Sequence, residues 1–211
     1  MVDVSRVIGA EVRRVEARER DRLPVHVVIA ERTYDTDPED LWDAITNKER
    51  IPRWFAPVEG ELRLGGRYQV QGNASGTITR CDPPEAFDLT WEFGGGASWV
   101  SVRLAPQGDR TRLTLEHVAP VEPKAEEHWA QYGPGAVGVG WELGLFGLGL
   151  HIDSGGSRPP EENLEWMGSE QAKAFMREAA LAWGEAHLAA GEDPDKARGM
   201  AERTAAAYAG G

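Results

Sequence analysis

The pattern of apolar and polar positions changes along the chain, from a β-branched run through helical spacing to a strict alternation that lasts from Leu62 to Val118. Val25–Tyr34 (VHVVIAERTY) is rich in β-branched residues and predicts a strand. Asp35-Thr36-Asp37-Pro38 interrupts it. Asp37 suits an N-cap and Pro38 the first helical position, while Glu39 and Asp40 favour the positive end of a helix dipole. Leu41, Trp42 and Ile45 then supply an apolar face at helical spacing. A second helix is expected over about Lys48–Phe55, shortened or distorted by Pro52.

From Leu62 the period is two. Strands are predicted over Glu61–Leu64, Arg67–Gly72, Gly76–Cys81, Ala86–Phe93, Ser98–Ala105 and Arg112–Val118. Glycine, asparagine and proline clusters separate them, short enough to favour an antiparallel meander. Tyr68/Val70, Leu89/Trp91/Phe93, Val100/Val102/Leu104 and Leu113/Leu115/His117 each fall on one face, and polar residues take the other. One face is therefore expected to be covered.

The expected cover is a helix from about Gly135 to Ile152. Val137, Trp141, Leu145, Leu148 and Ile152 make one stripe on it, and Gly140, Gly144 and Gly147 another. Helical glycines cost about 1 kcal/mol each relative to alanine. Close approach of the helix backbone to the sheet, or room for a ligand, would offset that cost. This window is short for a membrane span and contains Glu142, so a buried helix is expected.

The two ends read differently. Residues 1–22 alternate weakly and are highly charged, as in one arm of a hairpin turning near Arg20-Asp21-Arg22. Asp153–Pro160 is a linker-like break, followed by amphipathic helices over Ser169–Ala190 and Asp195–Tyr208. The expected organisation is a domain over residues 1–157, with its core at 25–152, and a helical extension over 158–211 packed on or beside it.

Charge narrows the partners. A formal net charge of −12 in 211 residues disfavours nucleic acid and anionic lipid. The arginines between Arg13 and Arg22 are interleaved with Glu16, Glu19 and Asp21, the pattern of a solvated face. Cys81 is the lone cysteine, so no intrachain disulfide can form, and a reducing compartment is the simple expectation. The N-terminal stretch lacks the pattern of a secretory signal, which makes a cytoplasmic protein the expectation.

A resemblance rests on Pro38-x-x-x-Trp42-x-Ala44-x-Thr46, Trp54-Phe55-x-Pro57, Gly65-Gly66-Arg67-Tyr68, Gly76-Thr77-Ile78, Leu89-Thr90-Trp91 and Arg112-Leu113-Thr114-Leu115-x-His117. Tyr132-Gly133-Pro134-Gly135 and Gly138-x-Gly140-Trp141 extend it into the long helix. In this order the motifs resemble the START-like, birch-pollen-allergen superfamily, also called SRPBCC. Within it they are similar to the activator of heat-shock-protein-90 ATPase homologue type. The resemblance implies an α+β helix-grip fold, in which a curved antiparallel sheet wraps a long C-terminal helix around a cavity. It also implies a membership of lipid carriers, hormone receptors, polyketide cyclases and co-chaperones.

Candidate ligand-lining residues are Trp54, Phe55, Tyr68, Val70, Trp91, Trp99, Trp141 and Leu145. Such residues line apolar pockets, and they equally build ordinary cores. Trp99 opposes the parity of Val100 and Val102. His117 should point to the covered face, to orient a polar ligand group, to act as an acid or base, or to sit satisfied in the core. Glu142 is a candidate acid if it faces a cavity and an ordinary helix glutamate if it does not. His117, His128 and His151 lack zinc spacing, Gly-x-Ser-x-Gly is absent, and the glycines at 138, 140 and 144 do not form a dinucleotide fingerprint. No catalytic set, metal or cofactor is therefore expected. The reading taken forward is a non-enzymatic binder of a small hydrophobic or amphipathic molecule. The alternatives are a cyclase or dehydratase using His117 or Glu142, and a chaperone-cofactor-like interaction protein. The tail is the expected place for a homodimer contact or a protein partner.

Overall fold

The computed structural model describes residues 8–155 and 166–210. Strands β1 (Val12–Arg20) and β2 (Leu23–Tyr34) are joined through Asp21 and Arg22, with φ of 52° and 68°. Two successive residues in the left-handed region make the type I′ turn that suits the twist of a hairpin. The turn expected near Arg20–Arg22 is therefore present.

Helix α1 (Pro38–Thr46) opens as its sequence requires: Asp37 Oδ1 accepts from the Asp40 amide at 2.8 Å, and Pro38 takes the first turn. The second helix expected over Lys48–Phe55 is instead a single 3-10 turn, Ile51–Arg53. Pro52 has no amide to donate, so a longer ladder cannot build through it.

The meander follows as β3 (Val58–Gly60), β4 (Arg67–Val70), β5 (Ser75–Asp82), β6 (Ala86–Phe93), β7 (Gly96–Gln107) and β8 (Arg110–Pro120). The first strand was expected three residues later, over Glu61–Leu64. There the chain turns instead, with the Gly66 amide donating to the Arg63 carbonyl and the Gly65 amide to that of Ile78. Strands β7 and β8 run longer than predicted because they stay paired down to Gln107 and Arg110, at a turn where Gly108 has φ 69°. The eight strands are ordered β1-β2-β8-β7-β6-β5-β4-β3. Its margins are the charged β1 and the three-residue β3.

Helix α2 (Pro123–Tyr132) was not predicted. It carries proline in its first turn and ends at Gly133, φ 61°, yet none of its residues is buried, so no apolar stripe announces it. Helices α3 (Gly135–Asp153), α4 (Glu170–Ala189) and α5 (Pro194–Ala209) lie where expected. Of the linker-like break over Asp153–Pro160, residues 156–160 fall outside the described residues. The architecture is the α+β helix-grip fold.

The chain divides into two compact units. One comprises the N-terminal part through Ala30, Ala119–Leu143 and the C-terminal helices. Its core includes Phe175, Ala179 and Trp183 of α4 with Ala197 and Ala201 of α5. The other comprises Glu31–Val118 and the segment that starts at Gly144. In it the Tyr34 hydroxyl donates to the Leu145 carbonyl at 2.9 Å. Gly147 lies so near the Trp54 carbonyl that a Cβ would stand 2.6 Å from it, so this helical glycine serves close packing. Helix α3 is long and apolar enough to cross a membrane by length and composition, but most of it is buried within the protein.

Candidate functional site

Strand register assembles the site in the second unit. Ile78 pairs with Leu89, Leu89 with Val100, and Val100 with His117, which makes one cross-strand row over β5–β8. In the neighbouring row Trp91 pairs with Ser98. His117 is 5% exposed, and its Nε2 lies 2.9 Å from Ser98 Oγ. The Ser98 hydroxyl donates to the Trp91 carbonyl at 3.2 Å. That uses its one proton, so Oγ accepts and His117 Nε2–H donates. The Trp91 ring meets the imidazole edge-on, centroids 6.4 Å apart.

Burial among these neighbours pushes the His117 imidazole down to about 4. It is thus neutral at pH 7. A folded-state value below the unfolded value of 6.5 means that the unfolded chain binds the proton first. The stability from this site is whole above pH 6.5 and drains away as pH falls toward 4, by about 3 kcal/mol in all. His117→Gln, which cannot titrate, is expected to flatten that part of the profile. Urea denaturation of both proteins at pH 7 and pH 4 measures it; equal slopes would rule it out.

Tyr68 and Val70 join the same side of the sheet and are buried. Tyr68 sits opposite Gly76, and its hydroxyl reaches past that residue to donate to the Thr90 carbonyl at 2.7 Å. Burial raises the phenol above its usual range, so it stays protonated. Trp54 and Phe55 are half-buried, 5.5 Å apart, with Trp54 Nε1 donating to the Ala44 carbonyl; both approach Gly144 of α3. Leu145 is buried, and its carbonyl holds Tyr34. Trp99, paired with Thr90 and Val118, lies on the other side of the pleat from Val100.

Trp141 and Glu142 fall in the first unit. Glu142 is fully buried, and its two oxygens accept from Arg13 Nε at 2.5 Å and Nη2 at 2.7 Å. A carboxylate held by a bidentate guanidinium is built to stay charged rather than to deliver a proton.

Sequence reasoning missed Ser98, whose role appears only once β7 and β8 are in register. It also missed a cluster around Arg50 in the second unit. Arg50 Nη1 donates to Asp40 Oδ1 at 2.7 Å and Asp43 Oδ2 at 2.9 Å, and Nε donates to His151 Nε2 at 3.2 Å. Burial and the neighbouring Arg50 and Arg53 lower the His151 imidazole from its ordinary value. Beside this cluster lies a cleft of about 420 Å³ lined by Asp40, Glu49, Arg50, Arg53, Ile152 and Gly155.

Comparison with known proteins agrees with this architecture. The family described as activator of Hsp90 ATPase homolog 1-like protein matches residues 35–146. The crystal structure of CalU16 from Micromonospora echinospora is 32% identical over 84% of this chain and 98% of its own, with a TM-score of 0.67. The solution structure of CalU16 from the same organism gives 32% identity, 86% and 97% coverage, and a TM-score of 0.68. EF2215 from Enterococcus faecalis shares the fold at 15% identity, covering 90% of this chain and 96% of its own, TM-score 0.57. Among curated proteins none matches the sequence. The chain belongs to the activator of Hsp90 ATPase homolog 1-like family, within the SRPBCC/START-like superfamily.

Proposed function

We propose that the protein binds a small hydrophobic or amphipathic molecule, without transforming it, against the side of β4–β8 that carries Tyr68, Trp91, Val100 and His117. The observation that carries this reading is the buried His117–Ser98 pair set into an otherwise aliphatic and aromatic surface. A few placed polar groups on an apolar lining are what orient a ligand in such sites. The superfamily supports the same general role, since ligand binding and cyclase chemistry both occur on this fold.

Binding is favoured over catalysis by the electrostatics. A general base works best with a pKa near the working pH. The His117 imidazole, at about 4, is a weak base at neutrality. Glu142, the other acid/base candidate, is engaged by Arg13.

Native mass spectrometry of protein freshly isolated from its own cells is the test. A small molecule retained by the wild type and depleted in Trp91→Ala is expected. Protein that leaves its cells bare, and that takes up no hydrophobic dye at neutral pH, would refute the reading.

A further inference from the structure

The cleft beside Arg50 shares no residue with the His117 face, and its donors and acceptors do not balance. Its acidic groups are largely engaged. Asp40 Oδ1 accepts from Arg50 and Oδ2 from Thr36 Oγ1 at 2.7 Å. Asp43 Oδ2 accepts from Arg50 and Oδ1 from Asn47 Nδ2 at 3.1 Å. The donors are in surplus. Arg50 Nη2 has no partner among the described residues, although Nε and Nη1 of the same guanidinium are pinned on three sides. His151 is fully buried; its Nε2 accepts from Arg50 Nε, which leaves the proton of the neutral ring on Nδ1, and Nδ1 has no hydrogen-bond partner among the described residues. Arg53, whose Nε donates to the Glu49 carbonyl at 3.4 Å, adds a second guanidinium to the wall.

A fixed arginine edge with unspent N–H groups is suited to a carboxylate or a phosphate. The surrounding charge chooses between them. Among the described residues Asp40, Asp43 and Glu49 outnumber Arg50 and Arg53 by one, so the surplus negative charge repels a phosphate dianion more strongly than a single carboxylate. Ile152 gives the cleft an apolar wall, and 420 Å³ is within the range of small-molecule sites.

We infer that this cleft, at the C-terminal end of α3, is a binding site for the carboxylate of a small organic acid with an apolar body. It is independent of the sheet-face reading proposed above. Arg50 Nη2 and Arg53 take the carboxylate, and Ile152 meets the chain or ring. Glu49 sets an upper limit on the ligand's negative charge.

Titration of the full-length, ¹⁵N-labelled protein with sodium octanoate, and separately with inorganic phosphate, tests this. Octanoate should shift the amides of Arg50, Arg53 and Ile152 along one saturable curve, while phosphate at equal concentration leaves them unmoved. Arg53→Gln should weaken octanoate about tenfold and Glu49→Gln should tighten it about threefold, opposite signs that general damage to the fold would not produce. Equal affinity in the wild type and Arg53→Gln would overturn the assignment. So would phosphate binding as well as octanoate, or octanoate shifts confined to the surroundings of Ser98 and His117. That last pattern would instead support the sheet-face site, so the two readings fail separately.

Discussion

Glu142→Ala is expected to cost about 3–5 kcal/mol of stability, with no change in the denaturant slope. Glu142 is fully buried and Arg13 nearly so, with side-chain exposures of 0% and 10%. Removing the carboxylate leaves a guanidinium in the interior without its counter-charge. Among the described residues Arg13 then keeps only backbone acceptors, the carbonyls of Glu11 at 3.3 Å and Ile8 at 3.0 Å. The cost is therefore that of stranding a charge rather than of losing an attraction. A double replacement, Arg13→Met with Glu142→Leu, takes both charges away and should recover most of the loss. Equilibrium urea unfolding of the three variants decides the matter. A loss under 1 kcal/mol for Glu142→Ala, or no recovery in the double variant, would contradict a buried structural ion pair.

The second large effect concerns Gly138 of α3 and Trp183 of α4. Trp183 has no exposed surface, and a Cβ built on Gly138 would stand 2.3 Å from Cε2, 2.5 Å from Nε1 and 2.6 Å from Cδ2 of its indole. Trp183→Ala should cost about 3–5 kcal/mol through the lost transfer energy and the cavity left behind. Gly138→Ala should cost about 1–3 kcal/mol from overpacking, even though alanine favours a helix by about 1 kcal/mol over glycine. With Trp183→Ala already in place the indole is gone and only the propensity remains. Gly138→Ala should then stabilise. A thermal or urea double-mutant cycle reads this reversal of sign directly, and additive effects would show that the two residues do not oppose each other.

These two pairs also show how far the chain's order reveals its structure. Elements with local chemistry were legible: Asp37-Pro38 opens α1, glycine and proline clusters bound the strands, and the alternation Leu113/Leu115/His117 places His117 on the covered side. Helix α2 was not, because its boundaries were signalled by Pro123 and Gly133 but its interior buries nothing. Around Pro52 the expectation of a short or distorted helix over Lys48–Phe55 resolves into a single 3-10 turn, because the length of a distorted helix is not written in its local sequence. Contacts between distant residues left no trace in either period. Ser98 meets His117 across nineteen positions, Arg50 meets His151 across 101, and Arg13 meets Glu142 across 129. Each is set by tertiary packing and strand register, so each site was visible only in part.

The margins of the sheet have a consequence for assembly. On β1, arginines and glutamates alternate along a mostly exposed strand, while β3 offers only three residues of backbone. An unpaired flank with these properties is a poor template for another molecule's backbone, by charge at one side and by brevity at the other. Growth into fibrils or edge-to-edge oligomers is thereby discouraged at the two places where such a fold is most vulnerable.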